Sequence, residues 1–156
     1  MIAIYQKGTY VLHDHGHEHG RLVNQGVFTC TAQIQTNEEQ LDFVKDGLFS
    51  ATKITRNGRE IGEVKSDWNS LLIKLDMGSR IYKYRLCRKN FWKSTFKLIN
   101  EYKEELIQIQ PQFKWFGINH NYKIDVLKTS RVNEASLVLL AVYGVRKLLE
   151  REYVAS

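Results

Sequence analysis

Four histidines near the amino end are the side chains of this sequence with the clearest potential for metal chemistry. His13, His15, His17 and His19 occupy alternate positions, so a single extended strand would place all four imidazoles on one face. Imidazole nitrogens bind zinc, nickel and copper, and four of them could complete a tetrahedral site. Neighbours on one face of a strand are nearly collinear, however, and collinear ligands cannot surround an ion. The metal hypothesis therefore needs a loop.

The same segment also fits a β-hairpin that binds no metal. Residues 14–16 would form the turn with His15 at its exposed tip, and His13, His17 and His19 would be polar strand positions. We favour this interpretation, because a histidine-rich tract is only a compositional signal. Adventitious binding of zinc or nickel is expected in either case, and no cofactor is predicted.

Basic side chains are concentrated between Met77 and Asn100, a segment without Asp or Glu. The seven basic residues are Arg80, Lys83, Arg85, Arg88, Lys89, Lys93 and Lys97. The whole chain has 23 Lys and Arg against 17 Asp and Glu, so the net charge of +6 would be slightly negative without these seven. The positive charge is therefore a local feature, and it indicates an anionic partner.

Apolar and basic residues alternate in this segment, as in a strand with one buried face. If its two halves pair as a hairpin, the basic side chains share one outer surface. We predict that this surface binds anionic phospholipid headgroups at a membrane, through Lys83, Arg85, Lys89, Lys93 and Lys97. Like charges on adjacent strands are destabilising, so a bound anion explains such a face better than stability does.

Two other interpretations of the basic segment stay open. A charge run is ordinarily a solvated face that keeps a monomer soluble. Nucleic acid is the rival polyanion, since the aromatic rings of the segment belong to a class that stacks on bases. Those rings are Tyr82, Tyr84, Phe91 and Trp92. Alternation turns most of them inward, so nucleic acid is the less favoured partner.

Alternation with a period of two runs through most of the chain and predicts a mainly β protein. Strand-like runs cover residues 2–6, 9–13, 17–23, 27–34, 40–44, 48–56, 59–66, 69–76, 80–88, 92–100, 104–110, 113–118 and 121–127. Turn signals separate them, and Asn57 followed by Gly58 is the strongest hairpin cue. The single proline, Pro111, is expected between two strands. Strands joined this tightly form antiparallel meanders.

The last element differs, because residues 135–145 are apolar on every side. We predict a helix over about 133–152, capped by Asn133 or Ser130, that becomes polar and enters solvent from Arg146. A membrane span needs about 20 mostly apolar residues, which this run does not reach, so the strands are the expected surroundings. The predicted fold is a closed antiparallel barrel of about twelve strands around this helix, in a single domain over residues 1–156.

This combination resembles the tubby C-terminal domain and the related phospholipid scramblase-like and LURP-one-related proteins. The opening from Tyr10 to Leu22 is similar to a hairpin common in that group, and residues 49–62 and 135–145 resemble its central hairpins and core helix. Lys83 and Arg85 resemble the Lys-x-Arg pair that tubby domains use on phosphoinositide headgroups. The resemblance covers most of the chain. It implies a twelve-stranded barrel around a central helix, phosphoinositide binding and membrane association.

No catalytic motif accompanies these features. The sequence lacks a nucleophile elbow, a phosphate-binding glycine loop, a paired-cysteine motif and a metalloprotease helix, so we expect a non-enzymatic protein. His120 is interpreted as a solvated turn residue. The opening residues have no signal-peptide features, which favours a cytoplasmic protein that is peripheral to the membrane when it binds lipid.

The large aromatic residues have a structural interpretation. Trp68, Trp92 and Trp115 are expected to pack in the core or at the rim of the barrel, as large aromatics usually do. Phe116 and Ile118 are candidates for an exposed apolar patch. Such a patch makes a protein-interaction scaffold the alternative to a lipid-binding function.

Overall fold

A computed structural model of the chain describes residues 1–25, 30–45, 51–90, 93–113 and 120–155. In these residues the strands are β1 (Ile2–Gln6), β2 (Thr9–Asp14), β3 (His17–Asn24), β4 (Cys30–Thr36), β5 (Gln40–Val44), β6 (Thr52–Arg56), β7 (Arg59–Ser66), β8 (Ser70–Asp76), β9 (Ile81–Asn90), β10 (Lys93–Asn100), β11 (Glu105–Gln112) and β12 (Asn121–Val126), and the helix is α1 (Glu134–Ala155). Each strand pairs antiparallel with its sequence neighbours, and β1 pairs with β12. The predicted closed antiparallel barrel with a carboxyl-terminal helix is confirmed.

Strand bounds follow the alternation of the sequence closely, with one correction. β1, β5 and β7 have the predicted bounds, and the run 113–118 lies almost entirely outside the described residues. Pro111 is not between strands as predicted: it lies within β11, opposite Tyr122 of β12. In the described residues the pairing of β11 with β10 reaches no further than Ile109 opposite Phe96, so the missing N–H of Pro111 removes no bond to β10.

Helix α1 occupies the interior of the barrel. Every residue from 136 to 145 is buried, and the helix contacts strands at different positions around the barrel. The ring of Tyr143 stacks on Phe43 of β5 with centroids 4.1 Å apart, and Gly144 lies against Leu86 of β9. Residues 137–145 are apolar on every side because all faces of this part of the helix meet the inner face of the sheet.

The two ends of α1 differ from each other. At its start, the side-chain oxygen of Asn133 accepts a hydrogen bond of 2.9 Å from the backbone N–H of Ser136, which confirms the predicted cap. At its end, the prediction that the helix enters solvent from Arg146 is wrong. Leu148 is still buried, and the Arg146 side chain is only 18% exposed and pairs with Glu150 at 3.0 Å. Arg146 and Glu150 stay partly buried because their charges neutralise each other, and full exposure begins at Arg151.

The antiparallel meander sends alternate connections to opposite ends of the barrel. We call the end where α1 begins the capped end; it holds the connections that follow β2, β4, β6, β8, β10 and β12. The exit end, where α1 finishes, holds the connections that follow β1, β3, β5, β7, β9 and β11. Strands of five to ten residues, at about 3.3 Å per residue, join the two ends, which therefore lie about 17 to 33 Å apart along the strands. Within the described residues, no helix has the length and apolar character needed to cross a membrane.

Candidate anion-binding surface

The basic segment forms the hairpin β9–β10. Leu98 lies opposite Leu86, and Lys97 lies opposite Cys87. The leucines point into the core and are fully buried, whereas Lys97 is half-buried on the outer face. The exposed basic residues of β9 on that face are Lys83, Arg85 and Lys89. Lys93 begins β10, and its side chain lies outside the described residues.

Two of the predicted ligand-binding residues form ion pairs with acids from neighbouring elements. Arg85 donates to a carboxylate oxygen of Asp67 and to the hydroxyl of Ser70, both at 2.9 Å. Lys89 lies 3.3 Å from a carboxylate oxygen of Glu105. These side chains are exposed, so solvent screens each pair and the pair adds little to stability. Lys89 can therefore exchange Glu105 for another anion.

Lys83 has a different environment, because another lysine faces it. The register of β8 with β9 places Lys74 directly opposite Lys83, and both side chains are exposed. Glu63, the neighbour of Lys74 on β7, pairs with Lys65 at 3.4 Å. Among the described residues, neither Lys74 nor Lys83 has an ion-pair partner. The sequence analysis missed Lys74 because only the strand register brings it beside Lys83.

The remaining basic residues of the segment are engaged elsewhere. Arg80 donates to Glu101 at 2.8 Å, near the capped end. Arg88 lies over the ring of Phe96 and forms a two-pronged pair with Glu152 of α1, one bond of which is 2.9 Å. Arg88 therefore fastens the end of the helix to the barrel wall and does not belong to the outer surface.

The predicted site residues do not converge on one concave site. Lys83 and Lys97 are separated by four residues along the hairpin, since Lys97 pairs opposite Cys87, and this corresponds to about 13 Å. Lys83 instead lines a cleft of about 260 Å³ with Arg80, Glu101 and Arg131 near the capped end. Lys89 lies at the other end of β9, next to the exit end.

Among the described residues, three exposed aromatic residues lie at the exit end and one, Tyr102, lies at the capped end. Trp68, in the turn between β7 and β8, is 90% exposed, which corrects its predicted place in the core or rim. Tyr153 at the end of α1 is 70% exposed, and Phe113 after β11 is 59% exposed. Trp68 follows two polar positions in a short turn, so alternation carries no information about its side chain. Trp92, Trp115, Phe116 and Ile118 lie outside the described residues.

Charge also distinguishes the two ends. Each end is taken as its connections together with the two strand residues that precede and the two that follow each connection. The first two residues of α1 are counted with the capped end, and its residues from Arg146 onward with the exit end. Lys93 is left out of the count because its side chain lies outside the described residues. The described residues of the exit end then carry eight basic and three acidic side chains: Lys7, Lys45, Lys53, Lys65, Lys89, Arg146, Lys147 and Arg151 against Asp67, Glu150 and Glu152. Those of the capped end carry six basic and eleven acidic side chains: Arg56, Arg59, Arg80, Lys103, Lys128 and Arg131 against Asp14, Glu18, Glu38, Glu39, Glu60, Asp76, Glu101, Glu104, Glu105, Asp125 and Glu134.

The histidine segment forms the hairpin β2–β3 at the capped end. His15 and Gly16 have φ values of 49° and 79°, as expected for the centre of a two-residue hairpin turn, and the His15 side chain is 91% exposed. The predicted hairpin with His15 at its tip is confirmed. A register shift after Leu12 interrupts the alternation, so His13, His17 and His19 do not share one face. Across the described residues, no group of three or more His, Cys, Asp or Glu side chains could hold a metal ion.

His120 is not the solvated turn residue that the sequence predicted. It is only 7% exposed, and its ring meets the ring of Phe113 edge to face with centroids 4.7 Å apart. A single histidine in a polar segment carries no signal of burial, because the contact depends on Phe113, which follows the preceding strand. His120 therefore belongs to the packing of the exit end.

Comparisons of the chain with protein-family models, with curated proteins and with solved structures find no match.

Proposed function

We propose that the protein is a non-enzymatic module that binds anionic phospholipid headgroups at a membrane surface, with the exit end of the barrel toward the lipid. The observation that carries the proposal is the charge difference between the two ends. Basic side chains exceed acidic ones at the exit end, and the reverse holds at the capped end. A negative membrane surface attracts the first end and repels the second.

The separation of the ends makes this difference effective. Each Lys or Arg near an anionic bilayer contributes about 1 kcal/mol of binding free energy, and the attraction decays over a Debye length of about 8 to 10 Å. Lys53 and Lys89 of the exit end pair with Glu60 and Glu105 of the capped end, at 3.9 and 3.3 Å. Strands of five residues or more, at about 3.3 Å per residue, nevertheless place most of the capped end beyond that length from a bilayer at the exit end. Its acidic residues therefore oppose binding only weakly, and they disfavour the inverted orientation.

The basic hairpin contributes its outer face to this surface. Lys89 and Lys93 are closest to the exit end, while Arg85 and Lys97 lie further along the hairpin. Lys83 is the most distant of the five predicted residues. The likeness of Lys83 and Arg85 to the Lys-x-Arg pair of tubby domains stays a prediction, as does the relationship to that family.

Vesicle co-sedimentation tests the proposal. We expect the protein to bind phosphatidylcholine vesicles that contain phosphatidylserine or a phosphoinositide, and to bind pure phosphatidylcholine much more weakly. The double variant Lys65→Glu/Lys89→Glu should weaken binding at least tenfold, since it reverses two charges at the exit end. The matched control Arg59→Glu/Arg131→Glu reverses two exposed charges at the capped end and should change binding little.

Two results would contradict the proposal. One is equal binding to neutral and anionic vesicles, and the other is an equal loss of binding in both double variants. A salt-sensitive complex with single-stranded oligonucleotides in the absence of vesicle binding would assign the basic surface to nucleic acid instead.

A further inference from the structure

We propose that Trp68 is an interfacial anchor, whose indole ring inserts among the lipid headgroups when the exit end meets an anionic bilayer. The inference rests on the proposed function and adds a mode of attachment to it. Trp68 is the most exposed large hydrophobic residue in the part of the chain that the structure describes, at 90%.

The turn that carries Trp68 is closed by its own hydrogen bonds. The backbone N–H of Asp67 donates to the carbonyl of Ser70 at 2.9 Å. The backbone N–H of Trp68 donates to the side chain of Asp67, also at 2.9 Å. That bond, together with Arg85, holds the pKa of the Asp67 carboxyl below its usual value, so the carboxylate stays charged at neutral pH. The backbone under the indole ring is therefore held in one conformation.

Two arginines from other elements brace this turn. Arg85 of β9 bridges the Asp67 carboxylate and the Ser70 hydroxyl, which lie at opposite sides of the turn. Arg151 of α1 donates to the backbone carbonyls of Asp67 and Trp68, in long hydrogen bonds of 3.5 and 3.4 Å. Arg85 and Arg151 are thus positioning residues that keep Trp68 directed away from the barrel.

A fixed, exposed tryptophan loses little conformational entropy when it inserts and gains the burial of its large apolar surface. Its indole N–H can meanwhile remain hydrogen-bonded, which is why tryptophan is enriched at the interface between lipid and water. Tyr153, two residues beyond Arg151 on the same end, is of the same amphipathic class.

The surroundings of Trp68 favour a bilayer over a protein partner. Lys65 lies in the strand that leads into the turn, and Lys89 and Lys147 belong to the same end. Lysine is depleted in protein interfaces, whereas aromatic residues among lysines are characteristic of proteins that lie on anionic membranes. The chemical class of the occupant is therefore an anionic phospholipid surface.

Tryptophan fluorescence with brominated lipids tests the inference. The variant Trp92→Phe/Trp115→Phe retains Trp68 as its single tryptophan. On vesicles of phosphatidylcholine with phosphatidylserine, we expect its emission to shift to shorter wavelength and to be quenched by bromine on the upper acyl chain. In the otherwise unchanged protein, Trp68→Ala should weaken vesicle binding about tenfold, since burial of a large apolar side chain is worth that factor or more.

Tyr102→Ala is the matched control, because Tyr102 is an aromatic residue of the capped end that is 67% exposed. It should leave vesicle binding unchanged. Circular dichroism of each variant checks that the barrel is folded, and Trp68→Phe provides a second substitution at the anchor with a smaller expected loss. If the single-tryptophan variant is misfolded, quenching is compared between the natural sequence and Trp68→Phe, and the difference reports Trp68.

The outcomes separate the anchor from the proposed function. Vesicle binding without a spectral shift or quenching of Trp68 would overturn the anchor and leave headgroup binding in place. Unchanged binding of Trp68→Ala would do the same. No binding of the natural sequence to anionic vesicles would overturn both, and a Trp68 shift on a protein partner or an oligonucleotide alone would assign the residue to that partner.

Discussion

The capped end and the exit end are built from the same kind of strand connection, yet they present opposite surfaces. The capped end is rich in acids, and it closes over the start of α1 through Asn133, which donates to Glu38 at 2.7 Å. The exit end is rich in basic residues and exposes Trp68 and Tyr153. The excess of basic side chains at the exit end and the excess of acidic ones at the capped end cancel in the formal charge of +6, so that total conceals how basic the exit end is. An antiparallel meander permits this difference because it gathers every second connection at one end.

The largest expected effect concerns the strands of the barrel that run between the two ends. A Cβ at Gly62 of β7 would lie 2.1 Å from the backbone oxygen of Lys74, so Gly62→Ala requires the strands to separate. We expect a loss of about 3 kcal/mol in the free energy of unfolding, measured by urea denaturation.

Gly144→Ala in α1 is the control for Gly62→Ala. Its Cβ would meet side-chain atoms only, the tips of Leu86 at 2.4 Å and of Leu71 at 3.2 Å. The higher helix propensity of alanine offsets about 1 kcal/mol of the strain. An equal loss of unfolding free energy in both variants would show that the strand backbone adjusts as readily as the core side chains.

The second prediction concerns the interior near the exit end and depends on pH. Burial raises the pKa of Tyr122 far above its ordinary value of 10.0, and the neighbouring Tyr10 adds to the shift. The folded protein keeps the proton that the unfolded chain releases above pH 10, so this contribution to stability is complete below pH 10 and decreases as pH rises further. Tyr122→Phe should show a shallower decline in urea midpoint between pH 10 and 11. An unchanged pH profile would contradict the assignment to Tyr122.

The third prediction separates stability from membrane binding at the capped end. Asn133→Ala removes the side-chain acceptor for the N–H of Ser136 and should lower the free energy of unfolding by about 1 kcal/mol. Because the residue lies far from the exit end, binding to anionic vesicles at a temperature where the variant is folded should not change. A loss of binding without unfolding would place the capped end at the membrane.

The smallest expected effect compares two lysines of the basic hairpin. Lys83→Glu replaces repulsion with attraction opposite Lys74, and it should raise the free energy of unfolding by about 0.2 to 1 kcal/mol. Its effect on vesicle binding should be smaller than that of Lys89→Glu, since Lys83 lies toward the capped end. A larger loss in Lys83→Glu would move the headgroup site to the position suggested by the tubby-like Lys-x-Arg pair.

Periodicity in the sequence was sufficient to predict most of the architecture. The inward and outward positions of β9 are confirmed, with Leu86 buried and Arg85 exposed, because alternation is a local property of an extended chain. The buried helix was predictable for a similar reason: a run without a polar face can only be stable when it is enclosed. The error at Arg146 arose because its partner Glu150 made burial of the charge tolerable.

Local pattern by itself determined the strands, the turn at His15, the interior helix and the two faces of the basic hairpin. Only the tertiary structure decided which charges meet, as in Arg85 with Asp67, Lys89 with Glu105 and Lys74 opposite Lys83. It also decided that Trp68 projects from a turn braced by the end of α1. The reason is physical: main-chain periodicity depends on neighbours in sequence, whereas the electrostatic character of a surface depends on strand register and on which connections closure of the barrel brings together.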